Sequence, residues 1–145
     1  MNASDPATSE AVPPSREFTL VGIAYGLHVT GLFLFWPALF GLFLDYVKRR
    51  DVEDTILASH YAWLIRTFWW SLLWGVLVVG AMLWVILPNA MRIGELARTG
   101  DYLSIPWEFI AAGVLGGIGI SIVWFWTVYR FIRGIVALSD GRAVP

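Results

Sequence analysis

The sequence has no cysteine, which excludes disulfides, thiolate metal ligands and thiol nucleophiles together. It has two histidines, His28 and His60, too few and too far apart to form a metal site unaided, and no HExxH-type spacing. Charge is scarce: 14% of the 145 residues are Asp, Glu, Lys or Arg, against about 25% in an ordinary soluble domain. A formal net charge of −1 gives no electrostatic case for nucleic acid. No stretch brings a nucleophile and a base together, so neither an enzyme nor a bound cofactor is expected.

What the chain has instead is apolar length. Hydrophobic residues make up 58% of it, and a water-soluble fold of this size could not hide that much surface. The class expected is an all-α integral membrane bundle of three transmembrane helices, with lipid as its solvent. Residues 1–16 are rich in Ala, Ser, Pro and acidic side chains and read as a disordered polar tail, unlike the basic start of a secretory signal. The transmembrane domain covers residues 17–139, with spans at about 18–45, 67–87 and 107–129, followed by a C-terminal tail over 140–145.

Phe18 to Leu44 carries no Asp, Glu, Lys or Arg, and at about 1.5 Å per residue it exceeds a hydrocarbon core of roughly 30 Å. Pro37 predicts a kink near Phe33. A hairpin here, making four membrane segments, is the alternative, but its halves would be too short to cross. After the charged loop Lys48-Arg49-Arg50-Asp51, Asp54 or Thr55 is placed to cap an interfacial helix that runs on into the second span. Pro88-Asn89 ends that span. A short amphipathic turn is expected at Met91 to Leu96, Ser104 can cap the third span, and Ser139-Asp140-Gly141 signals a closing turn.

Basic residues set the orientation. With three spans, Lys48, Arg49, Arg50 and Arg66 share a face with Arg130, Arg133 and Arg142, and outnumber Arg16, Arg92 and Arg98 on the other. The positive-inside rule then puts the N-terminus outside and the C-terminus in the cytoplasm.

The stretch Ser59-His60-Tyr61-Ala62-Trp63-Leu64-Ile65-Arg66-Thr67-Phe68-Trp69, preceded by Leu44-Asp45-Tyr46-Val47-Lys48-Arg49, resembles a family of uncharacterised bacterial inner-membrane proteins with a Ser-His…Ile-Arg-Thr-Phe-Trp signature. Val128-Tyr129-Arg130-Phe131-Ile132-Arg133-Gly134 and the ending Ser139 to Pro145 look like that family's Tyr-Arg-x-x-x-Gly segment and polar tail. Asp45 stands where the family more usually has Ala. The family is grouped with Tic-type, chloroplast-import-translocon-like small membrane proteins. The resemblance implies three or four membrane helices in a bacterial inner membrane, and no activity.

Several residues are candidates for a site. Gly113, Gly117 and Ser121 lie on one row of the third span, with Ala112 and Gly116 on a neighbouring row, and Gly22 and Gly26 lead to Thr30 in the first. The plain reading is packing within one chain; a homodimer seam and a pore or groove are the alternatives. Trp63, Trp70 and Trp74 share a helical face near Arg66 and Trp69, which suits interfacial anchoring with cation–π stacking. Lys48, Arg49, Arg50, His60 and Arg66, with Arg130 and Arg133, are candidates for lipid headgroup contact. His28 lies midway along the first span and needs a partner, expected near Thr30 or Ser121. Asp45 is expected to form a surface pair with Arg49, and His60 to be interfacial.

Two functions follow as expectations. The first is a non-enzymatic helical-bundle scaffold, assembly or accessory component, partnered by lipid and by its own copies or other membrane proteins. The second is a small-solute or proton transport or channel subunit, working as an oligomer past His28.

Overall fold

The first hydrophobic run does not form one helix. In a computed structural model, which describes residues 15–53, 55–100 and 106–144, it divides into α1 (Ser15–Gly31) and α2 (Phe35–Lys48). The polar tail up to Pro14, Asp54, and the connection from Asp101 through Ser104 to Ile105 lie outside the described residues. Pro37 falls in the first turn of α2, where its missing N–H has no intrahelical partner to lose. Placed further into a single helix, it would have clashed with the carbonyl of Phe33, and the chain turns just there. Leu32, Phe33 and Leu34 donate their amides to Val29 and twice to Thr30, closing the turn.

The two arms run antiparallel at close range. A Cβ on Gly31 would collide with Ala38, standing 2.9 Å from its backbone nitrogen, and one on Gly41 would stand 2.6 Å from Nδ1 of His28. The arms have 17 and 14 residues, about 26 and 21 Å, each short of a hydrocarbon core of roughly 30 Å.

A 3₁₀ turn at Arg49–Val52 leads to α3 (Ile56–Ile86). Thr55 caps this helix, its hydroxyl accepting the Leu57 amide at 3.3 Å. After a 3₁₀ turn at Leu87–Asn89, α4 (Ala90–Thr99) closes on Gly100, whose positive φ of 70° lets its amide reach back to the Leu96 carbonyl. The last helix is α5 (Trp107–Ser139). Gly141, with φ 64°, ends it in a Schellman arrangement: Arg142 N–H reaches Ala137 and Gly141 N–H reaches Leu138.

Every regular element among the described residues is helical. Two stretches, Ile56–Arg92 and Trp107–Ser139, are long and apolar enough to cross a membrane. The third length of span expected from the sequence is taken up by the hairpin.

The chain divides into two compact units. In the unit formed by Trp69–Thr127, α3 and α5 run antiparallel: Gly116 packs on Met82, Gly119 on Val78, and the hydroxyls of Ser71 and Thr127 pair at 2.7 Å. The other unit gathers the hairpin, the start of α3 and the end of α5 around Val21, Ala24, Tyr25, Val52, Leu57, Tyr61, Leu64 and Phe131. Some polar side chains are buried beside this apolar core, and large apolar ones lie outside it. His28, Asp45, His60 and Thr67 are buried, while Phe33, Leu34, Phe35 and Trp36 at the hairpin tip are between 55% and 76% exposed.

Candidate functional site

The buried polar groups of the hairpin unit form the site. Tyr25 and His28 project from α1 one turn apart, Asp45 comes from α2, His60, Trp63 and Thr67 from α3, and Arg130 from α5. Each is brought in by its helix's register.

His28 and Asp45 form the innermost pair. The ring donates Nδ1–H to the Ala24 carbonyl at 2.9 Å, because a carbonyl can only accept. In the neutral ring the other nitrogen, Nε2, then carries a lone pair, and it lies 3.4 Å from Asp45 Oδ2 with both side chains sealed from solvent. Lone pair facing lone pair is repulsive, so the contact is favourable only with a proton on one partner. Neither carboxylate oxygen accepts a hydrogen bond among the described residues, which leaves Asp45 dependent on that proton. Phe68 and Phe131 meet the imidazole edge to face, at centroid distances of 6.4 and 5.9 Å.

His60 is fixed differently. Its Nε2–H donates to the Arg142 carbonyl at 3.0 Å, so Nδ1 accepts the Tyr25 hydroxyl, also at 3.0 Å. Both nitrogens of the neutral ring are thereby used. The C-terminal tail is held a second time by Val144 N–H on Ser59 Oγ at 3.0 Å. The Schellman turn at Gly141 directs the tail to this place, so a helix stop becomes a tie between the end of the chain and the start of α3.

Gly134 makes room for Tyr25. A Cβ there would collide with the Tyr25 hydroxyl and come within 2.8 Å of its ring. Gly134→Ala should push the phenol off His60 and lower stability by about 1–3 kcal/mol, the range for overpacking a core. Thermal unfolding in detergent checks this, and no loss would show that Tyr25 can move at no cost.

The third feature is a basic cluster on a buried indole. The Arg130 guanidinium lies 3.6 Å from the Trp63 ring centroid, with those of Arg66 and Arg133 at 5.5 and 5.9 Å. Trp63 Nε1–H donates to the Arg130 carbonyl at 3.1 Å. Arg130 Nε–H donates to Thr67 Oγ1 at 2.8 Å, and that hydroxyl donates to the Trp63 carbonyl at 2.7 Å. The ring of contacts joins α3 to α5.

Several expectations are corrected. Asp45 is not a surface partner of Arg49: it is fully buried against His28. His28 is therefore accompanied by a carboxylate, and its other contact is Ala24, not Thr30 or Ser121, whose hydroxyls donate to Gly26 and Gly117 in their own helices. His60 and Trp63 are buried within the protein, whereas Trp69, Trp70 and Trp74 are about half exposed. Lys48 pairs with Asp51 at 2.8 Å, a contact that holds its ammonium pKa above the ordinary lysine value. Arg49 and Arg50 are exposed. Of the small-residue rows, Gly116 is filled by Met82, but a Cβ on Gly22, Gly26, Gly113 or Gly117 would meet nothing within 4 Å.

Comparison of the chain with protein families, with curated proteins and with solved structures finds no match.

Proposed function

We propose that the chain is a multi-pass protein of a bacterial inner membrane that acts as a non-enzymatic helical scaffold, an assembly or accessory component working through helix–helix contacts. The observation that carries this reading is the open row on α5. Gly113, Gly117 and Ser121 are exposed and four residues apart, while Gly116 and Gly119 on the neighbouring faces are already occupied by α3. In lipid, a row without side chains lets another helix approach backbone to backbone, and dispersion contacts with interhelical Cα–H donors then drive association. The partner is a second copy or another membrane protein. The guanidinium groups around Trp63 suit the anionic headgroup zone, with the C-terminus on the cytoplasmic side.

The absence of native cysteine makes the test clean. A single cysteine at Gly113 should crosslink detergent-solubilised or membrane-embedded protein to itself or to a partner, and adding Gly117→Leu should abolish the product. Association unaffected by Gly117→Leu would count against the proposal.

The buried His28–Asp45 pair favours a second reading, a subunit that moves protons or a small solute. Proton flux in proteoliposomes, compared with His28→Leu, decides it: equal flux in both, or none in either, removes this reading.

A further inference from the structure

We infer that α1 and α2 form a re-entrant hairpin that enters the hydrocarbon of a single leaflet tip first, so that the segments flanking it and the C-terminus of α5 lie on the same side of the membrane. Acyl chains cover its exposed faces. The inference rests on the membrane reading above but not on the scaffold role.

Length comes first. Neither arm can cross, and their close approach at Gly31 and Gly41 leaves no way to straighten them into one span without losing the His28–Asp45 contact. The distribution of polarity then points the hairpin. Its open end carries Arg16 and Glu17 on one arm and Lys48, Arg49, Arg50 and Asp51 just past the other, while its closed end is Phe33-Leu34-Phe35-Trp36. Phe40 and Phe43 are 67% and 71% exposed along α2. Apart from the indole N–H of Trp36, Thr30 is the polar side chain nearest the tip, and its hydroxyl is spent on the Gly26 carbonyl at 2.9 Å.

Backbone groups at membrane depth must find partners inside the protein. The amides of Leu32, Phe33 and Leu34 do so within the turn and Pro37 has none to satisfy, which leaves those of Phe35 and Trp36 at the uncapped start of α2. His28 and Asp45 face each other between the arms, leaving the outer surface apolar. The same unit holds the end of α5, where Gly134 meets Tyr25 and Phe131 meets His28, so the base of the hairpin and the C-terminal tail share a side.

Charge agrees with this placement. With the hairpin, Arg16 joins Lys48, Arg49, Arg50, Arg66, Arg130, Arg133 and Arg142 on the inner face, leaving Arg92 and Arg98 outside. The asymmetry that sets orientation becomes larger than with a straight first span.

Single cysteines at Ser15, Leu34, Thr99 and Ser139, probed with a membrane-impermeant maleimide in right-side-out and inverted vesicles, test it. Ser15→Cys and Ser139→Cys should label only in inverted vesicles, Thr99→Cys only in right-side-out ones, and Leu34→Cys in neither. A bimane on Leu34→Cys should lose fluorescence in brominated lipid. Labelling of Ser15→Cys together with Thr99→Cys would restore the straight span and overturn the hairpin. Labelling of Leu34→Cys, or an unquenched bimane, would overturn acyl chains as the occupant. Extraction of the chain by alkaline carbonate would instead sink the membrane reading itself.

Discussion

Replacing His28 by Leu is expected to be among the most costly single substitutions in the protein, lowering stability by up to about 3–5 kcal/mol, the upper end for removing one partner of a buried ionisable pair. The reason lies in what remains. Asp45 would be fully buried with no donor on either oxygen. Asp45→Ala should cost less, about 1–3 kcal/mol, because a neutral imidazole left without a partner is cheaper to bury than a carboxylate. Removing both, as His28→Leu with Asp45→Ala, should recover most of the loss, since an apolar pair carries no desolvation penalty.

Asp45→Asn is the sharper variant. Its amide N–H can donate to the Nε2 lone pair and so replace the proton that the pair otherwise shares. Near-native stability for Asn beside a clear loss for Ala would establish that a proton occupies this contact. Denaturant unfolding in detergent reads all four variants, and a double variant no better than His28→Leu alone would refute the pairing.

The second large effect concerns the turn of the hairpin. Gly31→Ala should destabilise by about 1–3 kcal/mol through overpacking, because its Cβ would meet the Ala38 backbone, which cannot swing away as a side-chain end can. Gly26→Ala, five residues earlier in the same helix, meets nothing within 4 Å and should be neutral or stabilising by up to about 1 kcal/mol from helix propensity alone. The pair is its own control. If both alanines behave alike in thermal unfolding, the arms are not held as closely as the structure shows.

Gly31 and Gly41 explain why the hairpin was hard to read from the sequence. A charge-free run of this length satisfies the hydropathy requirement for a spanning helix, and Pro37 alone is compatible with a kink. The decisive feature is that a glycine on each arm falls where the other arm passes, which only a folded-back register reveals. On a straight helix, His28 and Asp45 would lie about 25 Å apart at 1.5 Å per residue, so by sequence Asp45 reads as a surface partner of Arg49 and His28 as a lone histidine.

The Arg-Thr-Phe-Trp segment was legible differently. Its aromatics and arginines do meet, but the indole that gathers the guanidinium groups is Trp63; those of Arg130 and Arg133 come from about seventy residues away, and that of Arg66 shares its own helix turn. The glycine rows of α5 were visible as rows, yet which row faces α3 depends on the rotation of one helix about its axis, which small residues do not encode. The structure turns Gly116 inward and leaves Gly113 and Gly117 open.

The sequence by itself determined that the chain is helical, rich in lipid-compatible surface and free of thiol chemistry, because apolar content, helix stops and residue inventory are local properties. Tertiary structure alone decided that the first apolar run turns back, that a carboxylate meets His28, and that the C-terminal tail ties to His60. Those outcomes depend on which distant residues come within a few ångströms, and burial rewards contacts without regard to their separation along the chain.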